Sequence, residues 1–438
     1  MGIHPLANRR LDASRAPLRL GRTAVVLFVA ATLLGCSEDP DRTDGTGGTS
    51  GTGTPTGTST GTGAGTGTGA GTGTGAGTAT PTWSPPAGIP APGFCDHEVA
   101  VECADCTVIT DPSLDELTAL APNTVVELSA GGPHTGGELT ISGVGTAAQP
   151  IFVRGASASD RPIISRPTRI QGSYVIVENI DFDLAGGESG VRLEGDHLCL
   201  RHSEVHGMDP GHNSTVVYVS SSQDIVLYDN YIHDNGDFTF VGEQDVHGIG
   251  ASESHRVWII DNLMHHNRGD SIQFGHQANN TLGDFYVGRN ELHSDGENCV
   301  DIKEASNVVI SENQLHTPAT GMPAVVLHDC PVNAAAIYNE INDADVGVSM
   351  ASLESNCDDE VPIQLFVIRN DLHDIAEEGI QGWNGGKVYF VTGNSFTNVA
   401  TPVTIDGAET GSIVAEDDTG LADAFAAFQA AYGIDISQ

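Results

Sequence analysis

Two lysines are all the chain carries, Lys303 and Lys387. Lys303 lies in the acid-rich run Ser294-Asp295-Gly296-Glu297-Asn298-Cys299-Val300-Asp301-Ile302-Lys303-Glu304. If Val300 and Ile302 face a core, strand alternation turns Asp301 and Lys303 outward on one face. An amine among carboxylates can form a plain surface ion pair. It can also act as a proton-transfer group if its surroundings lower its pKa. Which of the two applies depends on what else is brought to that face.

The elements that must position these residues come from a repeat. A unit of the form V-x-[VI]-x-x-N-x-[LI]-H recurs as IVLYDNYIH (225–233), VWIIDNLMH (257–265), FYVGRNELH (285–293), VVISENQLH (308–316) and LFVIRNDLH (365–373). Weaker copies extend it at both ends. The anchors are Asn179, Ser203, Asn230, Asn262, Asn290, Asn313, Asn339, Asn370 and Asn394. Such fluctuating spacing is that of a solenoid with loops of variable length. Each copy alternates apolar and polar residues before the Asn, which reads as a strand. A second short strand precedes it, as in Val300-Asp301-Ile302. The expectation is an all-β, right-handed parallel β-helix with short terminal capping helices. Stacked Asn side chains can then bond the backbone of neighbouring coils and tolerate left-handed geometry.

Aligning coils by their anchors gathers polar residues beside Lys303. One coil back lie Arg268, Asp270, Gln273 and His276, and before them Asp245 and His247. His328 and Asp329 follow, then Gln381 and Trp383. Arg256 and Arg289 belong to the same middle coils. A long polar groove of this kind suits a polymer. Asp245, Asp270 and Asp301 on successive coils could also supply the two carboxylates of a glycoside hydrolase.

The repeat, with the opening stretch VVELSAGGPHTGGELTISGVGTAAQPIFVRG (125–155), resembles the β-helix proteins of the pectate-lyase-like superfamily over about residues 124–410. The resemblance implies a polysaccharide partner and, in its lyase members, β-elimination at a uronate. There Ca²⁺ neutralises the sugar carboxylate and a Lys or Arg removes the C5 proton. On that pattern Lys303 is the base and Arg268 clamps the substrate. Asp270, Asp295, Glu297 and Asp301 hold Ca²⁺, while Gln273, His276, His328 and Trp383 line the binding face. The superfamily also contains proteins without catalysis. A glycan-binding module using Trp258, Trp383, Tyr218 and Tyr231 as stacking platforms is therefore the alternative.

Six histidines recur three residues after an anchor: His206, His233, His265, His293, His316 and His373. One per coil is the pattern of a structural ladder, with a metal array as the other reading. The segment Asp111 to Ala119 reads as a short capping helix. Leu421, Phe425, Phe428 and Tyr432 form one apolar helical stripe that would close the C-terminal end.

The first ninety or so residues do not look globular. Arg9, Arg10, Arg15, Arg19 and Arg22 precede a 12-residue apolar run, Thr23 to Leu34, too short to span a bilayer. It ends in Leu33-Leu34-Gly35-Cys36, which resembles the lipobox of bacterial lipoproteins and implies lipidation of Cys36. Residues 36–93, dominated by Gly and Thr, form a tether with little to bury. The organisation expected is a signal peptide (1–35), the tether, a β-helix (94–412) and a C-terminal helix (413–438). The protein would be a monomer in the cell envelope, attached to membrane only through lipid. Seven further cysteines, among them the cluster Cys95, Cys103 and Cys106, suit an oxidising compartment and a disulfide near the N-terminal cap. Cys199 and Cys299 read as core residues. The formal charge of −40 argues against nucleic acid as a partner, since phosphate contacts need clustered Lys and Arg.

Overall fold

The computed structural model describes residues 88–95, 105–240, 244–275, 282–328, 331–351, 363–383 and 387–437. The signal, lipid-site and tether segments lie outside these residues, as do His276, Asp329, Cys103, Cys330 and Cys357. The described chain winds as a right-handed parallel β-helix with three parallel sheets. One coil shows the plan. Val300–Lys303 belongs to the first sheet, Ser306–Ser311 to the second and Gln314–His316 to the third, and the chain then returns to the first sheet at Pro323–His328.

Alternation decides which residues enter the core. In the first sheet Ile249, Ile272, Val300 and Val325 stack in register, as do Ala251, Phe274, Ile302 and Leu327. All are buried inside the coil. Each large apolar side chain placed there contributes about 1.5–3 kcal/mol. The residues between them, Gly250, Gln273, Asp301 and Val326, point out.

The anchors superimpose along one line. From Asn230 through Asn262, Asn290, Asn313, Asn339 and Asn370 to Asn394, each backbone N–H and each Nδ2 donates to Oδ1 of the next Asn at 2.9–3.0 Å. Ser203 extends the ladder backwards by donating its N–H to Asn230 Oδ1. Asn179 does not belong to it. The strand register pairs Val177 with Leu200 and Leu200 with Leu227, which puts Ile180 at the level of Ser203 and Asn230. Ile180 fills that inward place and Asn179, at φ 56°, turns outward.

The histidine row stacks too, but on the outer surface of the third sheet. His206, His233, His265, His293 and His316 face one another coil by coil, with ring centroids 4.7–5.5 Å apart.

The expected N-terminal cap is one 3-10 turn, Leu114–Glu116, which seats Leu117 on the first coil. The C-terminal stripe forms the helix Leu421–Tyr432, yet it does not close the coil end. It lies along the outside of the second sheet, where Phe428 and Ala424 cover Ala335, Ile337, Phe366, Ile368 and Phe390. Those outward apolar residues, unusual on a solvated sheet, are what attract it. Residues 88–95 run along the same sheet further back. Phe94 packs among Val125, Phe152, Ile176 and Val226, and Pro90 O accepts from Trp258 Nε1 at 3.1 Å.

This strap is pinned covalently. Cys95 bonds Cys199, so Cys199 is not the unbonded core cysteine its strand position suggested. Its side chain lies on the outward face of the second sheet, between Ile176 and Val226. The buried pair Arg201–Glu178, 2.7 Å apart, adds a second tie, since Arg201 also donates to Cys95 O. Cys106 is disulfide-bonded as well, and Cys299 is a buried thiol in the core. Cys199→Ser should lower unfolding stability by about 2–5 kcal/mol, measured by urea titration of the oxidised protein.

Candidate functional site

The outward row of the first sheet gathers the chemistry. In register it runs Arg169, Arg192, Tyr218, Gly250, Gln273, Asp301, Val326, Ser349 and Gln381. Lys303 and His328 occupy neighbouring places on a parallel row. That row, carried forward two coils, reaches Trp383, which is 36% exposed.

Asp301 is the centre of this face. Its Oδ2 lies 2.8 Å from Lys303 Nζ and its Oδ1 2.8 Å from His328 Nε2. Asp301 is almost wholly buried. Burial pushes its carboxyl up, but the His328 imidazole and the Lys303 ammonium more than offset this and hold it below the usual range. The sequence placed Asp301 and Lys303 together correctly. It also gathered His328 to this face from the next coil, but not the contact of His328 with Asp301.

A second His–Asp pair lies one coil earlier. His247 Nδ1 stands 3.1 Å from both the amide nitrogen and Oδ2 of Asp270. Neutral His247 accepts from the amide there, and protonated His247 donates to the carboxylate. Asp270 is fully buried, and it also receives Gln273 Nε2 at 3.0 Å and Asn298 N at 2.9 Å. Burial raises the Asp270 carboxyl, and the charge of Asp301 adds to the effect. The same carboxylate pulls His247 up against its own burial. Glu297 stands beside them, pushed up to about 7 by burial and by Asp270 and Asp245.

Asp295 serves the fold. A second ladder, Asn235–Asn267–Asp295, runs along the turn after the third sheet. Asn235 Nδ2 donates to Asn267 Oδ1 at 2.9 Å, and Asn267 donates its N–H and Nδ2 to Asp295 Oδ1 at 2.8 and 3.1 Å. Ser271 Oγ donates to the other oxygen. Burial carries the Asp295 carboxyl up to about 7. Its folded pKa therefore exceeds its unfolded one, so the native state binds the proton more tightly. The resulting stability is fully present below about pH 4 and is lost as pH rises through about 7. Asp295→Asn, which continues the ladder with the residue type already used at Asn235 and Asn267, should stabilise the protein at pH 8 by roughly a few kcal/mol. It should also flatten the stability profile between pH 4 and 7, as read by thermal unfolding across pH.

The four carboxylates expected to hold Ca²⁺ do not converge on one open place. Asp295 is committed to its ladder, Asp301 to Lys303 and His328, and Asp270 to three protein donors. A Ca²⁺ ion bound through all four would have to break those bonds. The ligating atoms that do come together, within 4.8 Å, belong to His247, Asp270 and Glu297, a mixed nitrogen and oxygen set.

Arg268 lies at the turn before Asp270, with its guanidinium over the Phe238 ring at 5.8 Å and near Asp237. The other scarce cations leave the face. Arg256 pairs with Asp224 and Arg289 with Asp261, each at 2.8 Å, at the edges of the second sheet. In their place the structure brings Arg169 and Arg192. They line a groove of about 440 Å³ with Glu138, Thr215 and Tyr218, and the Arg192 guanidinium sits over the Tyr218 ring at 5.6 Å. No repeat motif marks these arginines; only their outward place in the alternation could have suggested them.

Comparison with known proteins agrees with the architecture. Residues 169–358 match the family described as right handed beta helix region. The solved structures that resemble the chain include the A-module of a mannuronan C-5 epimerase from Azotobacter vinelandii, at 14% identity and a TM-score of 0.46, covering 68% of this chain and 91% of that one. An alginate lyase from Paenibacillus sp. str. FPU-7 matches at 12% identity and a TM-score of 0.44, covering 69% and 98%. A DFA-IIIase from Arthrobacter chlorophenolicus A6 matches at 14% and 0.43, covering 67% and 82%. No significant match was found among curated proteins. The chain is a right-handed parallel β-helix, as its repeats and its resemblance to the pectate-lyase-like superfamily predicted. Structural likeness at this level carries no argument of its own.

Proposed function

We propose that this protein acts on an acidic polysaccharide, cleaving it by β-elimination next to a uronate. The observation that carries the reading is the Asp301 carboxylate held between Lys303 and His328, both at 2.8 Å, in the middle of a long outward face. With coils about 4.8 Å apart, the face from Arg169 to Trp383 gives room for several sugar units. Arg169 and Arg192, which pair with Glu138 and Glu194 on the same face, would exchange those partners for carboxylates along the chain, and Tyr218 and Trp383 offer ring faces to pyranose rings.

The roles differ from a lysine-base scheme. An ammonium engaged with Asp301 has no lone pair to accept a proton, so Lys303 serves better as the positive group beside the substrate carboxylate. His328, oriented by Asp301, is placed as the base. It takes the C5 proton, the electron pair forms the C4–C5 double bond, and the C4–O glycosidic bond breaks. The leaving oxygen takes a proton, and we assign His247, which Asp270 favours in its protonated form, as the donor. No step is routed through a metal ion. A Ca²⁺ ion, if bound near Glu297, would add charge neutralisation at the substrate carboxylate.

The test is a panel of polyuronates, with and without added Ca²⁺, followed by ultraviolet absorbance of the unsaturated product and by reducing-end release. Absorbance rising with new reducing ends supports elimination. Reducing ends without absorbance favour hydrolysis by carboxylates of this face. Binding without either favours a glycan-binding module.

We further propose that a lipid on Cys36 holds the β-helix at the cell envelope through the tether. Cys36→Ser should move the protein from the membrane fraction to the soluble fraction of the producing cell.

A further inference from the structure

Outside the catalytic face, the outer histidine row contains ligating atoms that the proposed reaction does not use. We propose that Glu291, His293 and His316 form a binding site for a borderline divalent cation of the Zn²⁺ type. Their donor atoms all lie within 4.8 Å of one another. His293 and His316 face each other on adjacent coils, parallel to within 8°, with ring centroids 4.7 Å apart.

Each ring is oriented by the residue after it. His293 Nδ1 lies 3.1 Å from Ser294 Oγ, and His316 Nδ1 lies 3.4 Å from Thr317 Oγ1. An imidazole whose Nδ1–H donates to a hydroxyl carries its lone pair on Nε2, the form that ligates metal. His316 Nε2 in turn lies 3.9 Å from Glu291 Oε1, so nitrogen and carboxylate oxygen meet at one place. The His316 side chain is 28% exposed and that of Glu291 51%, so an ion can enter directly from solvent.

Zinc–nitrogen bonds are about 2.0–2.1 Å, so two nitrogens on one tetrahedral ion stand roughly 3.4 Å apart. The donor atoms lie within 4.8 Å of one another, so tilting these partly exposed rings to that separation closes at most about 1.4 Å. Two nitrogens and one oxygen leave a fourth position for water. The nitrogen donors select Zn²⁺, Cu²⁺ or Ni²⁺ over Ca²⁺ and Mg²⁺, which take oxygen ligands. The nearby group Asp234, His265 and His266 is less suited. His265 has both ring nitrogens engaged, one with Tyr231 Oη and one with His266 Nδ1, each at 2.8 Å.

The test is titration of the purified full chain, without a polyhistidine tag, with Zn²⁺ against a chromophoric chelator. The expected result is a micromolar site, weakened at least tenfold in His293→Ala and in His316→Ala and several-fold in Glu291→Gln. His265→Ala should leave it intact, and millimolar Ca²⁺ should not displace Zn²⁺. Cu²⁺ in place of Zn²⁺ should show an electron paramagnetic resonance pattern of two coordinated nitrogens that is lost in His316→Ala. Zn²⁺ affinity and stoichiometry unchanged in both histidine variants would overturn the site, as would the absence of micromolar binding to the unmodified chain.

Discussion

His328→Asn should leave the β-helix folded and lower turnover on an acidic polysaccharide by about 10²–10⁴-fold, the usual range for removing a general base. The side chain stands on the outer row of the first sheet, so its loss removes no core packing. Asp301→Asn should cost nearly as much, because it removes the group that orients His328 and holds Lys303. Lys303→Ala should also lose most of the rate, chiefly through weaker stabilisation of the carboxylate-bearing transition state. The three effects should not add, since the residues act as one unit. Arg256→Ala, a change at an ion pair on another sheet, serves as the control and should leave the rate within about twofold. If His328→Asn retained full turnover while the control behaved as expected, the base assignment would fail.

The second large effect concerns the fold. Asn313→Ala should destabilise the protein by roughly 3–6 kcal/mol, measured as a shift of the urea midpoint at constant slope. Asn313 Oδ1 accepts from both the backbone N–H and the Nδ2 of Asn290 at 2.9 Å. Its own Nδ2 donates to Val287 O at 3.1 Å and to Asn339 Oδ1 at 2.9 Å. All of this lies in the interior, where water cannot replace a lost partner. Alanine removes the partner of the Asn290 N–H, one of the two partners of Asn290 Nδ2 and a donor to Val287 O, each loss costing about 1–3 kcal/mol. Asn313→Asp should be worse, because it adds a buried charge facing Val287 O and Asn339 Oδ1. Asn333→Ala, which removes only a half-buried bond to Asn307, should cost under about 1 kcal/mol. A loss of that small size at Asn313 would show that the ladder follows from the stacking of the coils and does not stabilise it.

Part of this was legible in the residues themselves. The Asn spacing and the alternation before each anchor specify a coil, because a parallel stack offers every turn the same environment. Asp301 and Lys303 could be paired from alternation within a single strand. Errors arose where a single residue of register or the choice of sheet mattered. Asn179 looks like an anchor, but it stands one place early, level with His202 and Asp229, and Ile180 occupies the anchor level. Asp295 reads as a metal-seeking acid, yet it takes a place that Asn235 and Asn267 hold in other coils.

Sequence alone determined the solenoid, its repeat, its core and the pairing of Asp301 with Lys303, because these follow from local periodicity. Only the tertiary structure decided that His328 pairs with Asp301 and His247 with Asp270, that Arg169 and Arg192 take the place expected for Arg256 and Arg289, and that the terminal helix lies along a sheet. Those contacts depend on which outward positions of separate coils share a row. Variable loops set that arrangement, and their lengths leave no periodic trace in the chain.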